Sequence, residues 1–132
     1  MFGLTKKTEY GLQLMVALAK NYEQGPQSLK EIAKKKKLPY RFLSQVAGRL
    51  KKAKLIKSKE GIGGGYFLAR MPKKITVAEI LEGLEGPIEM VKCLQNGASC
   101  PWAGMCSQKQ MFAQMKGVME NIIEAHTLGD LV

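Results

Sequence analysis

The chain contains no run of about 18 apolar residues, so no membrane-spanning helix is expected. It has no Cys-x2-Cys pair and only one histidine, His126, which removes the common zinc-finger arrangements. No set of acid–base and nucleophilic residues converges in the pattern, so an enzyme with a small-molecule substrate is not expected. The N-terminus, MFGLTKKTEYG, lacks the apolar core of a signal peptide, which predicts a cytoplasmic protein. Acidic residues are scarce in the first half. Residues 1–75 hold 18 Lys/Arg against 4 Asp/Glu, whereas residues 76–132 hold 3 against 7, and the net charge of +10 comes wholly from the first part. A strongly basic module joined to a mildly acidic one implies a polyanion partner. A lipid surface is disfavoured, because the basic half leaves no large apolar face for it.

At 45% hydrophobic and 24% charged, the 132 residues can build a core. Phe2 to Asn21 reads as a first helix, capped by Thr5 or Thr8, with Tyr10, Leu14, Ala17 and Leu18 on one stripe. Tyr22 to Gln27 is a loop punctuated by Gly25-Pro26. Ser28 and Glu31 form a capping box for a second helix, which buries Leu29, Ile32 and Ala33 and ends in the basic run Lys34–Lys37. A tight turn at Lys37–Leu38 leads into a third helix opened by Pro39. Its Phe42, Leu43, Val46 and Leu50 face a core, while Arg41, Ser44, Gln45, Arg49, Lys51 and Lys52 lie off that stripe. A helix buried on one side and basic on the other is what the DNA major groove accepts.

The segments Leu55–Lys59 and Tyr66–Ala69 read as strands joined by the glycine loop Gly61–Gly65. A dinucleotide fingerprint needs its glycines to open a helix, and these run into a strand. Helix-turn-helix followed by strand, turn and strand is a winged helix. Thr76 and Glu79 box a further helix that buries Val77, Ile80, Leu81 and Leu84 and stops at Gly86-Pro87. A final helix, Ser107 to Ala125, aligns Met111, Met115, Val118 and Ile122, with Phe112, Met119 and Ile123 beside them. At roughly 1.5 Å per residue it spans nearly ~30 Å and suits a dimer seam. The expected fold is mainly α with a small β-wing. A DNA-binding winged helix spans 1–86, a cysteine-containing loop 87–106, and a dimerisation helix and tail 107–132.

Cys93, Cys100 and Cys106 are the only cysteines, with six and five residues between successive ones. An odd number of thiols in a cytosolic protein argues against a structural disulfide framework. Three thiolates in a glycine-bearing loop suit an iron–sulfur cluster with a fourth ligand from elsewhere. Free thiols, or a thiol switch forming one reversible disulfide, fit the same residues.

The stretch SLKEIAKKKKLPYRFLSQVAGRLKKAKLIKSKEGIGGGYFLAR, the helix KKITVAEILEGLEGP, the opening LTKKTEYGLQLMVALA and the closing HTLGDLV resemble the IscR/NsrR family of winged-helix regulators. The wing and the three-cysteine loop are the most specific parts of the likeness. The resemblance implies a homodimeric bacterial transcription regulator on a palindromic double-stranded operator. It also implies an iron–sulfur cluster, 2Fe–2S or 4Fe–4S, on Cys93, Cys100 and Cys106. The histidine that some members place three residues after the last cysteine is Lys109 here, which cannot ligate while protonated. Other members take an acidic residue from the partner's first helix, a position that matches Glu9, the candidate fourth ligand. Arg41, Ser44 and Gln45 match base-facing positions. The family's wing arginine aligns with Glu60, which shifts the wing contact to Lys59 and the Gly63, Gly64 and Gly65 backbone. Ser28 completes the DNA-facing set. His126 matches no ligand of the family and is taken as structural. The alternative is a cluster-free winged-helix repressor controlled by thiol oxidation or a partner protein. A basic RNA-binding or ribosome-associated protein is the reading from another class.

Overall fold

The computed structural model describes residues 4–87 and 107–132. Five α-helices and one two-stranded sheet follow in order: α1 Lys6–Lys20, α2 Leu29–Lys36, α3 Tyr40–Lys52, β1 Ile56–Lys59, β2 Gly65–Leu68, α4 Val77–Glu85 and α5 Lys109–Ala125. Short 3-10 turns occupy Tyr22–Gln24, Pro72–Lys74 and Leu128–Leu131. All three cysteines lie outside the described residues.

The first helix begins four residues later than its apolar pattern implies, because Thr5 caps it by accepting from the Thr8 N–H at 3.4 Å. Ser28 caps α2 by accepting from the Glu31 N–H at 3.5 Å. The two-way box forms at Thr76 and Glu79, as their spacing predicts. Pro39 is the cap residue of α3 rather than its first helical residue: its ψ of 119° is extended, and its carbonyl takes the first bond from Leu43 N at 2.9 Å.

Both helices of the helix-turn-helix end in the same way. After α2, Leu38 N donates to Ala33 O and Lys37 N to Lys34 O; after α3, Leu55 N donates to Leu50 O and Lys54 N to Lys51 O. This paired pattern is the Schellman motif, which places the residue after the cap in the left-handed region. Glycine usually fills that place, yet here it is Lys37, with φ 55°, and Lys54, with φ 64°.

The core is a single cluster. Leu14, Met15 and Leu18 of α1, Leu43, Val46, Ala47 and Leu50 of α3, and Ile80 and Leu84 of α4 meet Ile56 and Leu68 of the sheet. Tyr10 and Phe42 close one margin edge-to-face, with ring centroids 5.2 Å apart. In the antiparallel wing, Ile56 pairs with Leu68 and Lys59 with Gly65. Tyr66 also exchanges two backbone hydrogen bonds with Gln27, which moors the wing to the segment before α2.

The C-terminal tail returns to this core. Leu128 is fully buried, its N–H donates to Ile75 O at 2.8 Å, and Val77 N donates to His126 O at 2.9 Å. The tail, grouped by the sequence with the dimerisation helix, thus packs against Ile75 and Val77 at the start of α4. No residue of α5 is buried. Its inner side lies along α4, while Met111, Met115, Val118, Met119 and Ile122 remain between 36% and 58% exposed.

Two stability outcomes follow from this packing. Lys54→Gly should raise stability by about 0.5–1 kcal/mol, since relief of left-handed strain outweighs the added entropy of the unfolded glycine. Leu128→Ala should lower it by about 2–5 kcal/mol despite its place near the chain's end. Urea unfolding monitored by circular dichroism reads both.

Candidate nucleic-acid interface

The burial of Leu43, Val46, Ala47 and Leu50 dictates what α3 presents outward. At about 100° per residue, the line opposite that strip runs through Arg41, Gln45, Gly48 and Lys52. Each of these four is exposed. Ser44 and Lys51 flank the line on one side, also exposed, and Phe42 and Arg49 flank it on the other. Tyr40, the first residue of α3, is held from α2 by Lys30, whose ammonium sits 5.8 Å from the ring centroid.

Two open depressions border the helix. One, of about 520 Å³, is lined by Lys6, Tyr10, Pro39, Arg41, Phe42 and Gln45. The other, of about 430 Å³, is lined by Lys51, Lys54, Ile56, Lys57 and Ser58 and joins α3 to the wing. Lys51 Nζ donates to Ser58 Oγ at 2.6 Å, tying the end of α3 to β1. The basic residues thus run from the helix onto the sheet without a break in sign.

The named residues divide by position. Arg41, Ser44, Gln45, Lys51 and Lys52 share the outer side of α3. Lys59 and Gly63 are exposed on the wing. Gly64 and Gly65 are also required by the fold: a Cβ on Gly64 would collide with Lys59 O, and one on Gly65 with Gln27 O. Ser28 is half-buried and occupied with its cap. Arg49, also exposed, lies on the opposite flank of the outer line from Ser44, its Nη1 donating to Leu84 O at 3.3 Å.

Two residues of this surface carry a signal that motif reading passed over. Gly48 sits in the middle of α3 on the outward line, and a Cβ there would meet nothing within 4 Å. A glycine in a helix interior costs roughly 1 kcal/mol relative to alanine, and no internal contact offsets it. Ile62 stands fully exposed at the wing's tip. Minor-groove binders use apolar side chains of this kind as wedges between base steps.

On the cluster side, Glu9 projects from the first turn of α1 with its side chain 51% exposed, and Lys6 Nζ lies 3.1 Å from its carboxylate. That hydrogen bond, with the Glu9 charge behind it, raises the Lys6 pKa. His126 Nδ1 lies 2.8 Å from Ile122 O, in keeping with a structural role. Among the described residues, no three His, Cys, Asp or Glu side chains converge on a metal site.

Residues 4–132 match the family described as "Rrf2: Iron-dependent Transcriptional regulator". The chain belongs to the Rrf2 family. It is 34% identical to the HTH-type transcriptional regulator CymR of Bacillus subtilis over 128 residues, covering 97% of this chain and 88% of that protein. The solved structure of that protein, titled the global cysteine regulator, superposes with a TM-score of 0.83 over 99% of this chain and 96% of its own. Identity to the regulator IscR of Escherichia coli is 29% over 129 residues, covering 98% of this chain and 79% of IscR. The structure of Staphylococcus aureus CymR in an oxidized form matches at 34% identity with a TM-score of 0.77, covering 98% of this chain and 95% of that one. The Rrf2 regulators are DNA-binding transcription factors, so the chain is a DNA-binding transcriptional regulator with a winged helix. No helix among the described residues is long and apolar enough to cross a membrane.

Gly48→Ala should stabilise the protein by about 1 kcal/mol while weakening DNA binding, a combination that loss of folding cannot produce. Lys52→Ala should weaken binding to all duplexes and reduce the slope of log K against log salt by about 1, whereas Gln45→Ala should change sequence preference. Thermal unfolding and fluorescence anisotropy over a salt series read these outcomes.

Proposed function

We propose that this protein is a homodimer that reads a palindromic operator with α3 and the wing, and that Cys93, Cys100 and Cys106 set its DNA affinity by holding an iron–sulfur cluster. The observation that carries the DNA part is the exposed line Arg41–Gln45–Gly48–Lys52 opposite a fully buried strip. Gln45 suits a bidentate pair to adenine, and Arg41 suits a guanine edge. Lys51, Lys52 and Lys59 meet phosphates, with the Gly63 backbone close to the sugar-phosphate edge.

The apolar stripe on α5 supports pairing of two copies. Five large side chains on one side of a 17-residue helix are exposed in the single chain, and a second α5 would cover them. A two-fold pair then sets two α3 helices on a two-fold site.

Three thiolates with an outer carboxylate are a donor set that fits an iron–sulfur cluster, and the family's description as iron-dependent supports it. Cys93, Cys100 and Cys106 would hold the cluster, and Glu9 of the other subunit would complete it, being exposed and carrying no contact that buries it. Bound there, the cluster supplies a redox- and nitric-oxide-sensitive centre.

A second reading keeps the DNA binding and lets thiol oxidation or a partner protein set the affinity. Lys109 in place of a histidine ligand favours it, as does similarity to a relative titled a cysteine regulator. Anaerobic purification with iron and acid-labile sulfide analysis, before and after reconstitution, decides between the two. The cluster reading expects coloured protein whose footprint differs from that of the iron-free form. Colourless protein whose footprint changes with peroxide replaces it with the second reading. Equal affinity for palindromic duplex and unrelated RNA would overturn both. Sedimentation should show a dimer that Val118→Asp with Ile122→Asp converts to a monomer.

A further inference from the structure

The last turn of α4 is gripped from two sides. From α3, Arg49 Nη1 donates to Leu84 O at 3.3 Å, satisfying a carbonyl that a helix end leaves without an internal partner. A cation at that end also opposes the negative pole of the helix. From α1, Thr8 Oγ1 donates to Glu85 Oε1 at 2.6 Å, and the Thr5 hydroxyl donates to the same oxygen. Thr8 is fully buried, so its hydroxyl has no recourse to water if this bond is lost. The Thr5 and Thr8 hydroxyls hold the Glu85 carboxyl below the usual carboxylate range, and the charges of Lys7 and Arg49 act in the same direction.

Side-chain packing adds to this grip. A Cβ on Gly11 would collide with the Leu84 side chain, so α1 rests directly on this turn. Tyr10, one residue earlier, packs edge-on against Phe42 of α3. The end of α4 therefore touches the recognition helix through Arg49 and, by way of α1, a second time through Phe42. Gly86 and Pro87 follow Glu85, and the chain then enters residues 88–106, which carry all three cysteines.

We propose that Arg49 and Glu85 are positioning residues rather than DNA contacts, and that the last turn of α4 is the relay by which a chemical change in residues 88–106 re-aims α3. This rests on the DNA-binding sensor reading above. A displacement of the turn moves both supports of α3 together, so it alters the seating of base-reading side chains without removing a phosphate contact. The expected signature is a loss of discrimination between duplexes at constant salt slope.

The test uses the full-length dimer and two probes: a duplex selected from a random pool by the wild-type protein, and a duplex of unrelated sequence. Arg49→Ala and Glu85→Ala should bind the selected duplex about tenfold more weakly, bind the unrelated duplex as before, and keep the wild-type salt slope. A slope shallower by about 1 in Arg49→Ala would make it a phosphate contact and overturn the assignment. Regulation is read as the ratio of affinities between the reduced protein and the peroxide-treated or iron–sulfide-reconstituted protein. Allosteric ratios commonly lie at about 5–150-fold, and both variants should bring the ratio towards 1. Variants that keep the wild-type ratio overturn the relay and leave the sensor reading standing. A wild type that binds the selected duplex equally well in every state overturns the sensor reading, and the relay with it. Thr8→Val, nearly isosteric, gives the same readouts if Glu85→Ala fails to fold.

Discussion

Leu43, Val46, Ala47 and Leu50 fix the orientation of α3, and the rest of the molecule is arranged around that strip. Leu43, Val46 and Leu50 each contribute roughly 1.5–3 kcal/mol when fully buried, so rotating the helix by even a third of a turn would expose several of them at once. The helix has one favourable rotation, and the identity of the four outward residues follows from it. The interaction that holds the helix and the choice of side chains it offers are therefore a single constraint. Phe42 and Arg49 occupy the shoulder between the two faces and connect α3 to α1 and α4.

Much of this was legible in the residues, for reasons that differ from element to element. The caps at Ser28 and Thr76 were readable because a hydroxyl three residues before a glutamate has a local hydrogen-bonding solution that needs no tertiary context. The inward strip of α3 was readable from spacing alone. The docked tail was not: HTLGDLV carries no periodicity, and the burial of Leu128 depends on Ile75 and Val77, some fifty residues earlier. The Schellman ends of α2 and α3 escaped for the opposite reason, since lysines stand where glycine would have signalled them. Gly64 and Gly65 were assigned to DNA approach through their backbone, and the protein atoms that also exclude a Cβ there could not be read from the sequence. Arg49 was grouped with the basic surface because it lies off the buried stripe, and its bond to the Leu84 carbonyl needed the tertiary structure to be seen. The candidate cluster ligands Cys93, Cys100 and Cys106 fall outside the described residues, so their reading still rests on the sequence.

Among the described residues two faces stay uncovered, and their chemistry keeps them apart. The surface around α3 and the wing is basic and hydrogen-bonding. The outer side of α5 is nearly uncharged along its methionine-rich line. A polyanion gains little from the second face, and an apolar helix gains little from the first, so the two contacts do not compete for one surface. Methionine suits the second role because its unbranched thioether adapts to an irregular neighbour.

The stitching of Leu128 beside Ile75, with Thr127 bridged to Thr76, has a consequence for how the molecule is made. The DNA-reading half precedes Leu128 by some fifty residues, so its core stays open until that residue has been made and has docked beside Ile75. During that interval the apolar stripe of α5 is already synthesised while the pocket for Leu128 is empty. A nascent chain therefore closes its reading head only when Leu128 arrives, and the order of synthesis sets the order of packing.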